Sequence, residues 1–267
     1  MKKTLLFLLI MITPLFGEMT NKGEDRELVF SPNVLSGTRA PGDMLYCPSE
    51  ADDAGYRAAI AALTGSAVDY FDTRAATPTL AELQNYDCVY TWANFSYFDN
   101  VAMGDVLADY VDGGGTVVLG AFCTYTSGSF LSGRIMTVGY NPVVSPTGSN
   151  HFLSSNYAGD GTTAIHNGVT AYECLYRDIL VLQGAGMQDG SYLDGEIATA
   201  YRPDFKVIYT NGSGAAALGC TGDWPELIAN ACAAGGGLSS VPTMGKWGLG
   251  IFIGLFVLGG LFFIKRK

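Results

Sequence analysis

Histidine is nearly absent from this chain: its 267 residues hold only His151 and His166. No H-x-E and no C-x-x-C occurs. Zinc held by the usual Cys/His spacing is disfavoured, and a nucleophile has few places to find an imidazole base. Basic side chains are scarce as well. Fifteen Lys and Arg face 25 Asp and Glu, and six of the fifteen (Lys2, Lys3, Lys246, Lys265, Arg266, Lys267) lie in the two terminal stretches. The body between them keeps nine against all 25 acids, a balance of −16. So acidic a surface argues against nucleic acid as a partner. It suits solubility in an extracytoplasmic space. The chain shows no internal repeat, and nothing in it asks for a cofactor.

What is present is most distinctive at the ends. Trp247 to Ile264 is an 18-residue run of apolar and Gly residues without charge. As a helix it would be about 27 Å long, close to the hydrocarbon thickness of a bilayer. Lys265, Arg266 and Lys267 follow at once, and such clusters stay on the cytoplasmic side. Trp247, at the opposite end, suits the membrane interface. These features predict one C-terminal transmembrane helix, 247–264, with a basic cytoplasmic tail, 265–267. At the other terminus, Lys2 and Lys3 precede "TLLFLLIMITPLFG". This reads as a secretory signal over 1–17, followed by a linker over 18–41. The expected protein is exported and held by its tail, with its body outside the membrane.

Just before the apolar run stand Val241, Pro242, Thr243 and Met244, then Lys246, Trp247 and Gly248. With the helix and the Lys265-Arg266-Lys267 tail, this resembles the IPTL-CTERM sorting signal of bacterial surface proteins. Order and spacing of all three parts agree. Lys246 departs from the pattern, standing where such signals often carry an acidic or polar residue. The resemblance implies a partner, an exosortase-like membrane transpeptidase that cuts near Val241-Pro242-Thr243 and passes the body to the cell surface. Residues 235–246, opening with "GGGLSS", make up the linker and the motif.

Six cysteines, at 47, 88, 123, 174, 220 and 232, permit disulfides in an exported chain. Cys47 and Cys88 sit in apolar strand-like runs, where a buried thiol and a bridge are both open. A helix between Cys220 and Cys232 would hold them about 18 Å apart and prevent their pairing with each other.

The first half of the body alternates strand and helix signals. Strands are predicted at Met44–Cys47, Ala67–Phe71, Cys88–Trp92 and "TVVLGAF". Ser49-x-x-Asp52 reads as a capping box before the Ala-rich "AGYRAAIAAL", and Thr79-x-x-Glu82 opens a second helix. "VAMGDVLADYVDGGG" is a helix stopped by glycines. Such alternation predicts an α/β fold with a doubly wound parallel sheet. Thr116 to Leu119, almost wholly apolar and β-branched, reads as a central strand buried on both faces. Later, "DILVLQG", "GEIATAYR" and "FKVIYTNG" are strand-like, and Asp223 is expected to cap a last helix, "WPELIANACAAG".

"LADYVDGGGTVVLGAF", "HNGVTAYE", "IATAYR" and "VIYTNGSG" with "GDWPELIANAC" are together similar to ThuA-like and class I glutamine amidotransferase-like domains. The resemblance spans roughly residues 42–234. It implies a flavodoxin-like sheet with additional strands. It does not imply catalysis, since many relatives lack the nucleophile. Cys123 follows its strand one residue later than the catalytic pattern, and no His stands at the familiar spacing.

In open α/β sheets ligands bind beyond the carboxyl ends of the strands. The candidate pocket rim is therefore Glu50, Asp52, Trp92, Asn94, Tyr97, Cys123 and Tyr125, acids beside aromatic rings that suit a sugar or a cation. Two readings follow. One is a surface-displayed binding or interaction domain without catalysis, its ligand unknown. The other is a cysteine-dependent hydrolase or amidotransferase-like enzyme, or a sugar-related ThuA-like activity.

Overall fold

The computed structural model describes residues 43–236. The segments expected to be a signal, a sorting motif, a membrane helix and a basic tail lie outside the described residues. Among the described residues no helix is long and apolar enough to cross a membrane.

Three βα steps and a fourth strand open the described residues. Strands β1 (Met44–Tyr46), β2 (Val68–Tyr70), β3 (Cys88–Thr91) and β4 (Thr116–Gly120) alternate with helices α1 (Ala54–Thr64), α2 (Leu80–Leu83) and α3 (Asn100–Asp112). Local chemistry sets the helix starts. Asp99 accepts from the Val101 and Ala102 amides at the head of α3, and Thr79 and Glu82 form the expected capping box on α2. The box expected at Ser49 and Asp52 does not form. Asp53, one residue later, takes the Tyr56 amide and caps α1. Ser49 donates instead to the Phe95 carbonyl.

The later chain adds β5 (Val143–Val144), β6 (Ser155–Asn156), β7 (Tyr172–Cys174), β8 (Val181–Leu182), β9 (Met187–Ser191), β10 (Ile197–Tyr201), β11 (Val207–Thr210) and β12 (Cys220–Gly222), then helix α4 (Trp224–Ala234). The main sheet has seven strands in the order β2-β1-β3-β4-β11-β10-β9. Its first five are parallel, and β10 and β9 are antiparallel. With β11 as the fifth parallel strand, this is the 2-1-3-4-5 order of flavodoxin-like sheets. Because the strand order runs both ways from β1, connections of the usual single hand place helices on both faces. α1 packs with α4 on one side, α2 with α3 on the other.

Strand β4 lies in the middle of the sheet with all five residues buried, as its continuous apolar run predicts. "DILVLQG" behaves differently. Only Val181–Leu182 is strand, and it pairs with β5 outside the main sheet. Asp178, at its start, is drawn into the core by Asn211, whose side chain accepts from the Asp178 amide and donates to its carbonyl. A third sheet, β12-β7-β6, carries the disulfide Cys174–Cys220 between directly opposed residues. A second disulfide, Cys88–Cys232, ties the start of β3 to α4 across 144 residues of chain. Cys220 and Cys232 do not pair with each other. Asp223 does not form the side-chain cap expected of it on α4. Its carboxylate receives the Thr170 amide and hydroxyl and the Ala171 amide, fastening that loop to the helix.

Candidate functional site

In this strand order the switch point lies between β1 and β3, beside the loops that follow them. Here the loops after β1 and β3 are bonded to each other across that point. Ser49 and Ala93 form a parallel bridge. The Ser49 amide donates to Trp92 O, the Phe95 amide donates to Ser49 O, and the Ser49 hydroxyl reaches Phe95 O at 2.7 Å. Above them, Asn94 Nδ2 donates to Glu50 Oε2 at 2.6 Å. Arg74 stands 3.9 Å from Glu50, binds Asp72 through two nitrogens, and lies over the Phe95 ring. Two expected rim residues, Glu50 and Asn94, thus meet each other directly across the switch point.

The other rim residues divide. Asp52 faces away to pair with Arg57. Trp92 is not on the rim at all: it is fully buried, with its indole NH donating to the Tyr46 hydroxyl. The chain after β3 continues one residue into the core before it turns, and this is the physical reason for the correction. Cys123 is also fully buried, so it lies beneath the surface and not on the rim. Its sulfur is 3.7 Å from the Tyr97 hydroxyl and donates toward the Thr91 carbonyl at 3.9 Å. Burial pushes its thiol up to about 12, against the pull of the Tyr97 hydrogen bond. Cys47 is the second free thiol, equally buried and raised above the ordinary range by that burial.

Neither histidine serves Cys123. His151 Nε2 meets Glu196 at 2.7 Å. His166 Nδ1 meets Asp189 at 2.7 Å, and its Nε2 lies 3.2 Å from the Tyr172 hydroxyl. The Tyr157 ring stacks over both His166 and Tyr172. Burial alone would raise the Asp189 carboxyl. Hydrogen bonds from His166, Thr163 and the Thr162 and Thr163 amides outweigh it and hold the group at about 2. The sequence gives no sign of this Asp-His-Tyr chain, since its members come from three separate segments. Behind Cys123, burial raises the Asp178 carboxyl, although Thr124, Tyr209 and Asn150 all donate to it.

The open space at this edge is displaced sideways, to the loops that follow β3 and β4. There a cavity of about 370 Å³ is lined by Ser96, Tyr97, Phe98, Asp99, Asn100, Gly128, Ser129 and Phe130. Tyr97 is the one expected rim residue on its wall. Tyr125 stands next door, its ring against Gly128, where an added Cβ would sit 2.4 Å from the ring. No group of His, Cys, Asp and Glu suited to holding a metal ion occurs among the described residues.

No protein-family model matches the chain, and no curated protein matches it in sequence. Among solved structures it is similar to one described as a cytoplasmic protein from Salmonella typhimurium, at TM-score 0.53 and 13% identity over 71% of this chain and 97% of that one. It also bears a fainter likeness to a GMP synthase-like protein from Thermoplasma acidophilum (TM-score 0.47, 9% identity, 74% and 96% covered). A ThuA-like protein from Bacteroides uniformis stands at a similar distance (TM-score 0.45, 12% identity, 74% and 93% covered). At such identities the first likeness speaks for the fold alone.

Proposed function

We propose that this chain is an exported, membrane-anchored binding domain that has the frame of an amidotransferase-like α/β fold without its cysteine chemistry. The state of the six cysteines carries the reading. Two pairs are bridged, Cys88–Cys232 and Cys174–Cys220, and the remaining two thiols are sealed in the core. Persistent disulfides belong to oxidising compartments, which agrees with the signal-like start, the 247–264 run and the Val241-Pro242-Thr243-Met244 motif. A thiolate nucleophile needs partial exposure, a lowered pKa and a base. Cys123 is buried, raised, and faces a tyrosine hydroxyl and a carbonyl.

Ligand contact is assigned to the loops after β3 and β4, because a cavity opens there while Glu50 and Asn94 are bonded to each other at the switch point. The membrane and an exosortase-like transpeptidase are the partners that the tail calls for. Fractionation tests the placement. Full-length chain should sediment with membranes, and a chain ending before Trp247 should be released in soluble, exported form with both disulfides intact by peptide mapping. A truncated form that still sediments, or Cys88 and Cys232 found as free thiols, would overturn it.

A further inference from the structure

A cluster of aromatic rings lies next to that cavity. Four rings from three distant segments close into a square. Phe122 meets Tyr125 at 5.2 Å and Tyr176 at 5.6 Å, and Phe152 meets Tyr125 at 6.0 Å and Tyr176 at 5.8 Å. Rings this close pack on one another, edge to face at Phe152, so they form a platform and not an open cage for a cation. Phe122 is the buried base, while Phe152 is 55% exposed and its neighbour Leu153 is 66% exposed.

Exposure of Phe152 is imposed by structure. Its backbone has φ of 53°, a left-handed conformation that a bulky residue rarely adopts. The loop is held there from below. Fully buried Arg177 donates through Nε and Nη2 to the Leu153 carbonyl, pairs with Asp194 and lies 4.7 Å from the Tyr192 ring. Asn150 Oδ1 takes the Phe152 and Arg177 amides. A buried guanidinium committed to a loop carbonyl fixes an aromatic side chain in solvent, where burial would otherwise be favourable.

Charge narrows the occupant. The loops around the platform read "TYTSGSF" (124–130), "SPTGSNHFLSSN" (145–156) and "LY" (175–176). They hold hydroxyls, amides and one His, with no Asp, Glu, Lys or Arg, in a body whose balance is strongly acidic. The first two are joined by the Ser127 amide donating to Gly148 O. An uncharged, hydroxyl-rich surface around a fixed ring matches a ligand with apolar C–H faces and many hydroxyls. It offers nothing to a polyanion, and the acidic surround repels one.

We propose that Phe152, on the Tyr125–Tyr176 platform, is the stacking surface for a neutral polysaccharide, with the adjoining Ser96–Asn100 and Gly128–Phe130 cavity taking a neighbouring sugar unit. This rests on the binding-domain reading above and deepens it.

The test uses full-length chain in a polyoxyethylene detergent, free of sugar headgroups, against microcrystalline cellulose, chitin, curdlan, insoluble starch and heparin-agarose. Retention on at least one neutral polymer, little changed by 0.5 M salt, is expected. Phe152→Asn removes the ring while suiting the left-handed backbone, and should weaken retention at least tenfold with no loss of thermal stability. Leu193→Ser, at an exposed apolar site in the β9–β10 turn, should bind as wild type. No retention on any neutral polymer, retention on heparin alone, or undiminished binding by Phe152→Asn overturns the proposal. Release of new reducing ends from a bound polymer would leave the platform standing and refute the non-catalytic reading instead.

Discussion

Asn94 donates to Glu50 at 2.6 Å across the β1/β3 switch point, so the two loops are joined at the place where sheets of this order ordinarily take a ligand. The Glu50 side chain is only 15% exposed and has Arg74 beyond it. A charge-assisted bond in this position contributes about 1.5–3 kcal/mol. Asn94→Ala should therefore lower stability by about 1–2 kcal/mol in urea unfolding, since Arg74 still faces the carboxylate. An unchanged midpoint would show that the loops are closed by the Ser49 backbone bonds alone.

The Cys88–Cys232 bridge closes a loop spanning 144 residues. Chain entropy for a loop of that size gives up to about 5 kcal/mol. The paired variant Cys88→Ala with Cys232→Ala should unfold at clearly lower denaturant than wild type, and reductant should lower the wild-type midpoint toward it. If the oxidised wild type and the paired variant unfold together, α4 is held by packing alone.

Val118 lies in the central strand, fully buried and paired with Tyr90 on one side and Ile208 on the other. Val118→Asp places a carboxylate where neither water nor a cation reaches it. A loss of at least about 3 kcal/mol is expected, visible as a large fall in Tm or as failure to fold. Unchanged thermal stability would contradict two-sided burial of this strand.

Asp189 makes the fold acid-sensitive in a defined window. Its carboxyl is held down at about 2 in the folded chain, against about 4 when unfolded. The stability it supplies is complete above about pH 4 and is lost as the pH falls toward 2. Asp189→Asn should lower stability at neutral pH and flatten the fall between pH 4 and 2. Urea midpoints at pH 7, 4, 3 and 2 measure this. Parallel pH curves for the two proteins would rule out Asp189 as the group responsible.

Much of the first half is legible in the sequence because its signals are local. "TVVLG" carries its own burial, and Thr79 and Glu82 form a capping box from residues three apart in the chain. The residues that escape such reading are placed by distant partners. β9 reads "MQDGS", with no strand pattern, and is strand because it pairs with β10 and because Asp189 turns inward to His166. Trp92 reads as a rim residue, yet the hydroxyl of Tyr46 holds it in the core. Tyr125 is legible beside its strand end, but its companions Phe152 and Tyr176 are not, since nothing in spacing links residues so far apart. Only the fold brings the rings together.

The central claim, that this frame binds and does not react through cysteine, comes down to Cys123. The direct measurement is the rate of iodoacetamide alkylation at Cys123 in the native protein from pH 5 to 10, located by peptide mass. Burial and the raised thiol predict slow labelling that is no faster than unfolding, with no inflection near neutral pH and full labelling only in denaturant. Rapid, selective labelling of Cys123 with an apparent pKa well below 8 would contradict the account and restore the enzyme reading.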